Sequence, residues 1–240
     1  MLKKFIVLAI LTGNGIYSIA QTVFSTDTTE PAATAITNYY RFIDHQSRLY
    51  NGNEHRGYSQ RINGFAYFGQ NNWQRGSIFY DGLLFKNVPI LYDLYKDQVI
   101  VQHFNEYIRI SLISEKVKEF TIEDHLFVRI ERDSIQNPVL KTGFYDVLHK
   151  DNLELLARRT KLIEETVTDH LEQDFIEKNS YYIKKNGAYK IVKSYKGLQE
   201  ILKEKSKEIR RYLKKNKIKY RKDKETAIVL AVKFYDSPNN

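Results

Sequence analysis

The sequence predicts an α+β fold: a curled antiparallel β-meander with one helix before it and a basic helix pair after it. Three observations carry that expectation. Between about residue 64 and residue 192 apolar and polar side chains alternate with the two-residue period of strands. Polar turn pairs recur about every ten residues in the same region, with Asp81-Gly82 and Asn186-Gly187 as hairpin signals. Helical spacing is confined to the two ends. Many short strands without intervening helices must curl into a half-barrel, barrel or sandwich to bury one face.

The elements follow in order. Residues 1–20 read as an export signal: Lys3 and Lys4, an apolar run from Phe5 to Leu11, and Ser18-Ile19-Ala20 at a cleavage position that leaves Gln21 first. That run falls short of the roughly 20 residues that span a bilayer. Residues 21–30 are a Thr- and Ser-rich lead-in. Thr29 caps a helix that opens on Glu30-Pro31, carries Ile36, Tyr39, Tyr40, Ile43, Leu49 and Tyr50, and stops at Asn51-Gly52. Strands are expected over 77–80, 83–86, 88–95, 99–104, 107–113, 117–122, 126–130, 144–148, 153–163, 181–183 and 189–192, with a looser connection at Pro138. Leu198, Ile201, Leu202, Ile209, Tyr212 and Leu213 then share one helix face, with lysines opposite. A break over 216–222 precedes a last helix, 224–235, which Asp223 can cap. Residues 31–194 thus form a helix-plus-sheet domain on which the segment 195–240 packs.

Composition limits the function classes. A hydrophobic content of 42% excludes general disorder. The absence of cysteine removes disulfides, thiolate metal ligands, cysteine nucleophiles and a lipid-bearing N-terminal cysteine. The net charge of +9 is local: residues 195–224 hold thirteen Lys or Arg against Glu200, Glu204, Glu208 and Asp223. No later stretch is long enough for a membrane span, so the mature chain has no transmembrane segment. No phosphate-binding loop, dinucleotide fingerprint, nucleophile elbow or zinc-protease helix motif occurs.

Three readings remain, and a metal site is not among them. The basic segment suits anionic partners, with Lys205, Arg211, Lys214, Lys215 and Lys219 as the surface contacts; export sets nucleic acid aside and leaves an envelope protein, a glycan or an anionic lipid surface. Tyr80, Phe85, Tyr92 and Phe104 could line an apolar-ligand concavity in the sheet, or fill its core as ordinary strand formers. Asp93, Asp97 and His103 are the candidate acid–base set of a hydrolase, although turn chemistry accounts for both Asp81 and Asp97. The six histidines lie too far apart for a local metal motif, so no metal and no cofactor are expected.

Leu49-Tyr-Asn-Gly52, Trp73-x-x-Gly76-x-Ile78-x-Tyr80-x-Gly82, Val88-x-Ile-Leu-Tyr92-Asp93 and Tyr181-Tyr-x-x-Lys-x-Gly187-x-Tyr189, followed by a lysine-rich helix pair, give the chain a resemblance over most of its mature length. It resembles a loose family of uncharacterised exported proteins of Gram-negative bacteria. The resemblance implies a periplasmic, envelope-associated or secreted protein and carries over no catalytic residue. The leading expectation is a non-enzymatic binding protein of the cell envelope.

Overall fold

A computed structural model describes residues 34–36, 38–39, 48–167 and 171–237. The chain divides into two compact units, Met1–Phe42 and Ile43–Asn240. In the first, residues 34–36 and 38–39 are helical, as the spacing there predicts. The export signal, the lead-in and the remainder of that helix as far as residue 47 lie outside the described residues.

The second unit holds twelve strands in one sheet: β1 (Gly52–Glu54), β2 (Ile62–Asn63), β3 (Gln74–Tyr80), β4 (Leu83–Asp93), β5 (Gln98–Gln102), β6 (Arg109–Leu112), β7 (Val117–Ile122), β8 (His125–Ile130), β9 (Gly143–Lys150), β10 (Glu154–Val167), β11 (Leu171–Lys185) and β12 (Ala188–Ile191). Their spatial order is β1-β6-β5-β4-β3-β7-β8-β9-β10-β11-β12, with β2 set parallel against β11. Two antiparallel meanders, β3 to β6 and β7 to β12, therefore join where β7 pairs with β3. The sheet is open but strongly curled. Lys161 of β10 reaches back across the curl, its N–H donating to the Leu94 carbonyl just past β4 (3.1 Å).

Turn chemistry places the hairpins. Asp81 and Gly82 both have positive φ (49° and 82°), as do Asn186 and Gly187 (50° and 82°), the backbone that a tight two-residue hairpin demands. Gly76 is required for a different reason: a Cβ there would collide with the Thr121 carbonyl of β7. Its register shift against β4 accommodates the extra residue, so the expected strands 83–86 and 88–95 form one continuous strand with Asn87 at φ 56°.

Aromatic rings fill much of the sheet's core. Tyr92 meets Phe120, Phe127 and Phe144 at centroid distances of 5.1, 5.0 and 5.9 Å, and Phe120 stacks on Phe127 at 4.8 Å. Each such ring, fully removed from water, contributes about 1.5–3 kcal/mol.

The expected first C-terminal helix is two pieces, α1 (Tyr195–Ile201) and α2 (Ser206–Lys215), separated by a 3-10 turn at Lys203–Lys205. The last helix, α3 (Lys224–Asp236), starts after Asp223, whose side chain makes no capping bond. Leu198, Ile201, Leu202, Ile209, Leu213, Ile228, Ala231 and Val232 pack with Leu155, Ala157, Tyr181 and Ile183 of β10 and β11 in one apolar cluster. Among the described residues, no helix is long and apolar enough to cross a membrane.

Candidate functional site

The site is built where α2 stops. Its last carbonyls are satisfied by a Schellman turn: Lys217 N–H donates to Lys214 O (3.1 Å) and Ile218 N–H to Leu213 O (3.0 Å). That turn needs a left-handed residue, normally glycine, and here the position is Lys217 at φ 58°. A side chain in that conformation costs about 1–2 kcal/mol. The turn folds Ile218 back toward Leu213, and the chain then brings Tyr220 against Tyr195 at the start of α1 (ring centroids 5.4 Å).

The result is a groove of about 1260 Å³ with an apolar floor of Tyr195, Leu213, Ile218 and Tyr220. Its rim carries Lys193, Lys196, Arg210, Lys214, Lys217, Lys219, Arg221 and Lys222, and its lining includes no carboxylate. All eight cations are exposed. Only Lys196 has an acidic partner within ion-pair distance among the described residues, Glu200 at 4.0 Å on the solvent side. The Tyr220 hydroxyl is buried without a hydrogen-bond partner, and burial raises its pKa. Eight like charges around a low-dielectric floor focus a positive potential that one or two lysines could not produce.

A buried ion network holds this helical end on the sheet. The Arg159 guanidinium of β10 donates through Nε to Asp146 Oδ2 of β9 (2.7 Å) and through both terminal nitrogens to Glu225 of α3 (2.9 Å each). Tyr181 OH donates to the same Glu225 (2.8 Å), and His125 Nδ1 lies 2.8 Å from Asp146. The His125 hydrogen bond to Asp146 raises the imidazole pKa. Burial would raise the Glu225 pKa, but the Arg159 fork outweighs it and lowers the net value. Lys185 closes the other side, donating to Ile201 O (3.1 Å) and Glu204 (2.5 Å).

The expected surface contacts divide. Lys214 and Lys219 are on the groove rim. Arg211 and Lys215 lie on another face of α2, beside Glu208, Tyr212 and Lys233. Lys205 is half-buried, its ammonium bonded to Tyr235 O (2.9 Å) and Ser237 O (3.4 Å), so it closes the end of α3 and is not a surface contact. Lys193, Lys196, Arg210, Lys217, Arg221 and Lys222 complete the rim. Their charge was visible in the sequence; which face each occupies depends on the Schellman turn.

Three of the four apolar-ligand candidates occupy filled space. Tyr80 and Tyr92 are fully buried, their hydroxyls donating to Asn51 O and Asp97 (2.7 Å each), and Phe85 is buried beside them in the core. Phe104 sits outside it, tilted over His103 and Tyr50 at 4.2 and 6.0 Å. The three acid–base candidates are not assembled. Asp93 accepts from Tyr58 OH (2.6 Å) and from the Tyr95 and Lys96 amides (2.9 Å each). Asp97 accepts from Tyr92 and lies 3.5 Å from Arg158; burial raises its pKa. Asp93 pairs with Gln98, which puts His103 five residues along the same direction, about 16 Å away.

Sequence reasoning passed over a second buried polar set. His55 lies 3.2 Å from both Ser111 Oγ and Tyr67 OH, and its pKa is lowered by burial. A hydroxyl beside a neutral imidazole is a nucleophile–base pairing, but Tyr67 stands where a carboxylate orienter would be and Ser111 lies inside the β5–β6 ladder. The set ties β1 to β6.

Compared with family models, curated proteins and solved structures, the chain finds no match. The groove is therefore read from its own chemistry.

Proposed function

We propose that this is an exported, non-enzymatic protein of the cell envelope that attaches to an anionic lipid surface through the groove at its helical end. The observation that carries the reading is the rim of eight exposed cations, free of any lining carboxylate, around an apolar floor. Cations beyond solubility needs are attracted to phosphate headgroups at about 1 kcal/mol each near a charged surface. Leu213 and Ile218 of the floor offer apolar contact to an acyl chain. Lys217 adds a further cation to that rim at a position whose left-handed backbone would suit glycine better. The signal-like first twenty residues support the export part of the reading.

Co-sedimentation with vesicles tests it. Binding to phosphatidylglycerol vesicles, absent on phosphatidylcholine, should fade as salt rises from about 0.05 M to about 0.5 M. Equal binding to both vesicle types, or none to either, removes the lipid reading. Capture of an anionic glycan without vesicle binding would give the groove to a sugar polymer.

A further inference from the structure

At the far end of α3 stands a donor cluster that the groove does not use. His149 of β9, Asp151 of the β9–β10 turn and Asp236 at the end of α3 each offer a ligand atom, and these atoms lie within 4.8 Å of one another. We propose that His149, Asp151 and Asp236 bind a divalent transition-metal ion of the zinc class, which clasps the last helix to the β9–β10 turn.

Asp236 carries the argument beyond proximity. Its side chain is only 4% exposed. Oδ2 accepts from His149 Nε2 (2.7 Å) and the Leu153 amide (3.0 Å), while Oδ1 is buried with no hydrogen-bond partner at all. An orphaned carboxylate oxygen in that position is costly unless something positive or protonated meets it. Its place on the helix adds to the cost, because the carboxylate sits at the negative end of a 13-residue helix dipole, where a cation is favoured. Lys205 answers part of that field, but it bonds the carbonyls on either side of Asp236 and not the carboxylate.

The donor set selects the ion. One imidazole nitrogen with two carboxylates suits zinc and its neighbours, while calcium and magnesium prefer more ligands, all oxygen. Asp151 is exposed, so the fourth position opens to water. The ion takes the place of the Nε2 proton, the neutral ring keeping its one proton on Nδ1, and it meets the carboxylate whose Oδ1 has no hydrogen bond.

Isothermal titration of the purified protein with zinc chloride, with magnesium and calcium chloride as controls, tests the site. Asp151→Asn is the decisive variant, since that side chain is exposed and only its backbone amide is bonded, to Leu153 O (2.9 Å), so the fold survives. The expected result is one zinc per chain, a raised melting temperature, no response to magnesium or calcium, and at least about tenfold weaker zinc binding in Asp151→Asn. No zinc binding by the parent protein, or the same affinity in parent and variant, overturns the proposal.

Discussion

Arg158, Arg159, Lys161 and Lys185 belong to the sheet, and each ends on an acceptor: Asp97, the Asp146–Glu225 pair, the Phe65 and Tyr67 carbonyls, and Glu204 with Ile201 O. The eight cations of the groove rim end on nothing comparable. They crowd one another over an apolar floor, and one of them holds a backbone conformation that costs free energy. Paired, at least half-buried cations hold an architecture together. Exposed ones of a single sign weaken it slightly and leave their charge directed at solvent.

The largest effect that would break this comparison is at Arg159. Arg159→Met leaves Asp146 with only His125, and Glu225 with only the Tyr181 hydroxyl, and should destabilise the protein by about 3–5 kcal/mol in urea unfolding. Lys214→Ala on the rim should stay within about 0.5 kcal/mol of the parent. Comparable losses in the two variants would mean that the division between structural and free cations is false.

Lys205→Ala separates the two classes inside the basic segment itself. It removes charge-assisted bonds to the last carbonyls of α3 and should cost about 1.5 kcal/mol while vesicle binding stays unchanged. Lys217→Gly should do the reverse, gaining about 1 kcal/mol from relief of the left-handed backbone while weakening vesicle binding. A stability loss in Lys217→Gly would remove the strain argument.

The smallest effect is a pH dependence. The His125 pKa is raised from its ordinary 6.5 by the hydrogen bond to Asp146, so the folded state holds the proton more tightly than the unfolded chain. Its contribution is complete below 6.5 and disappears as pH rises through the raised value. The stability difference between parent and His125→Gln should therefore shrink from pH 5 toward pH 9. Glu225, with its lowered pKa, loses its contribution only as pH falls below its ordinary 4.5, outside that window. A difference that grows with pH would show that the imidazole is held neutral.

The meander was legible because local chemistry sets it: Asp81-Gly82 and Asn186-Gly187 force their hairpins whatever surrounds them. The long β11 was legible only at Tyr181–Ile183, since residues 172–180 are mostly charged or polar and are held as a strand by β10. The basic segment could be counted but not faced. Lys214 and Lys215 are neighbours in sequence and line different surfaces, a distinction that follows from where Leu213 and Ile218 are buried. Tyr80 and Tyr92 show the opposite limit, since strand propensity alone cannot tell a ring that fills a core from one that lines a cavity.

That contrast within α2 gives the most direct test. Vesicle binding should be measured for Lys214→Glu/Lys219→Glu on the rim and for Arg211→Glu/Lys215→Glu on the other face, two variants with the same change in net charge. The groove account predicts that the first loses binding to phosphatidylglycerol vesicles and the second keeps most of it. Equal losses would show that the chain responds to overall charge alone, and would contradict the groove as the binding site.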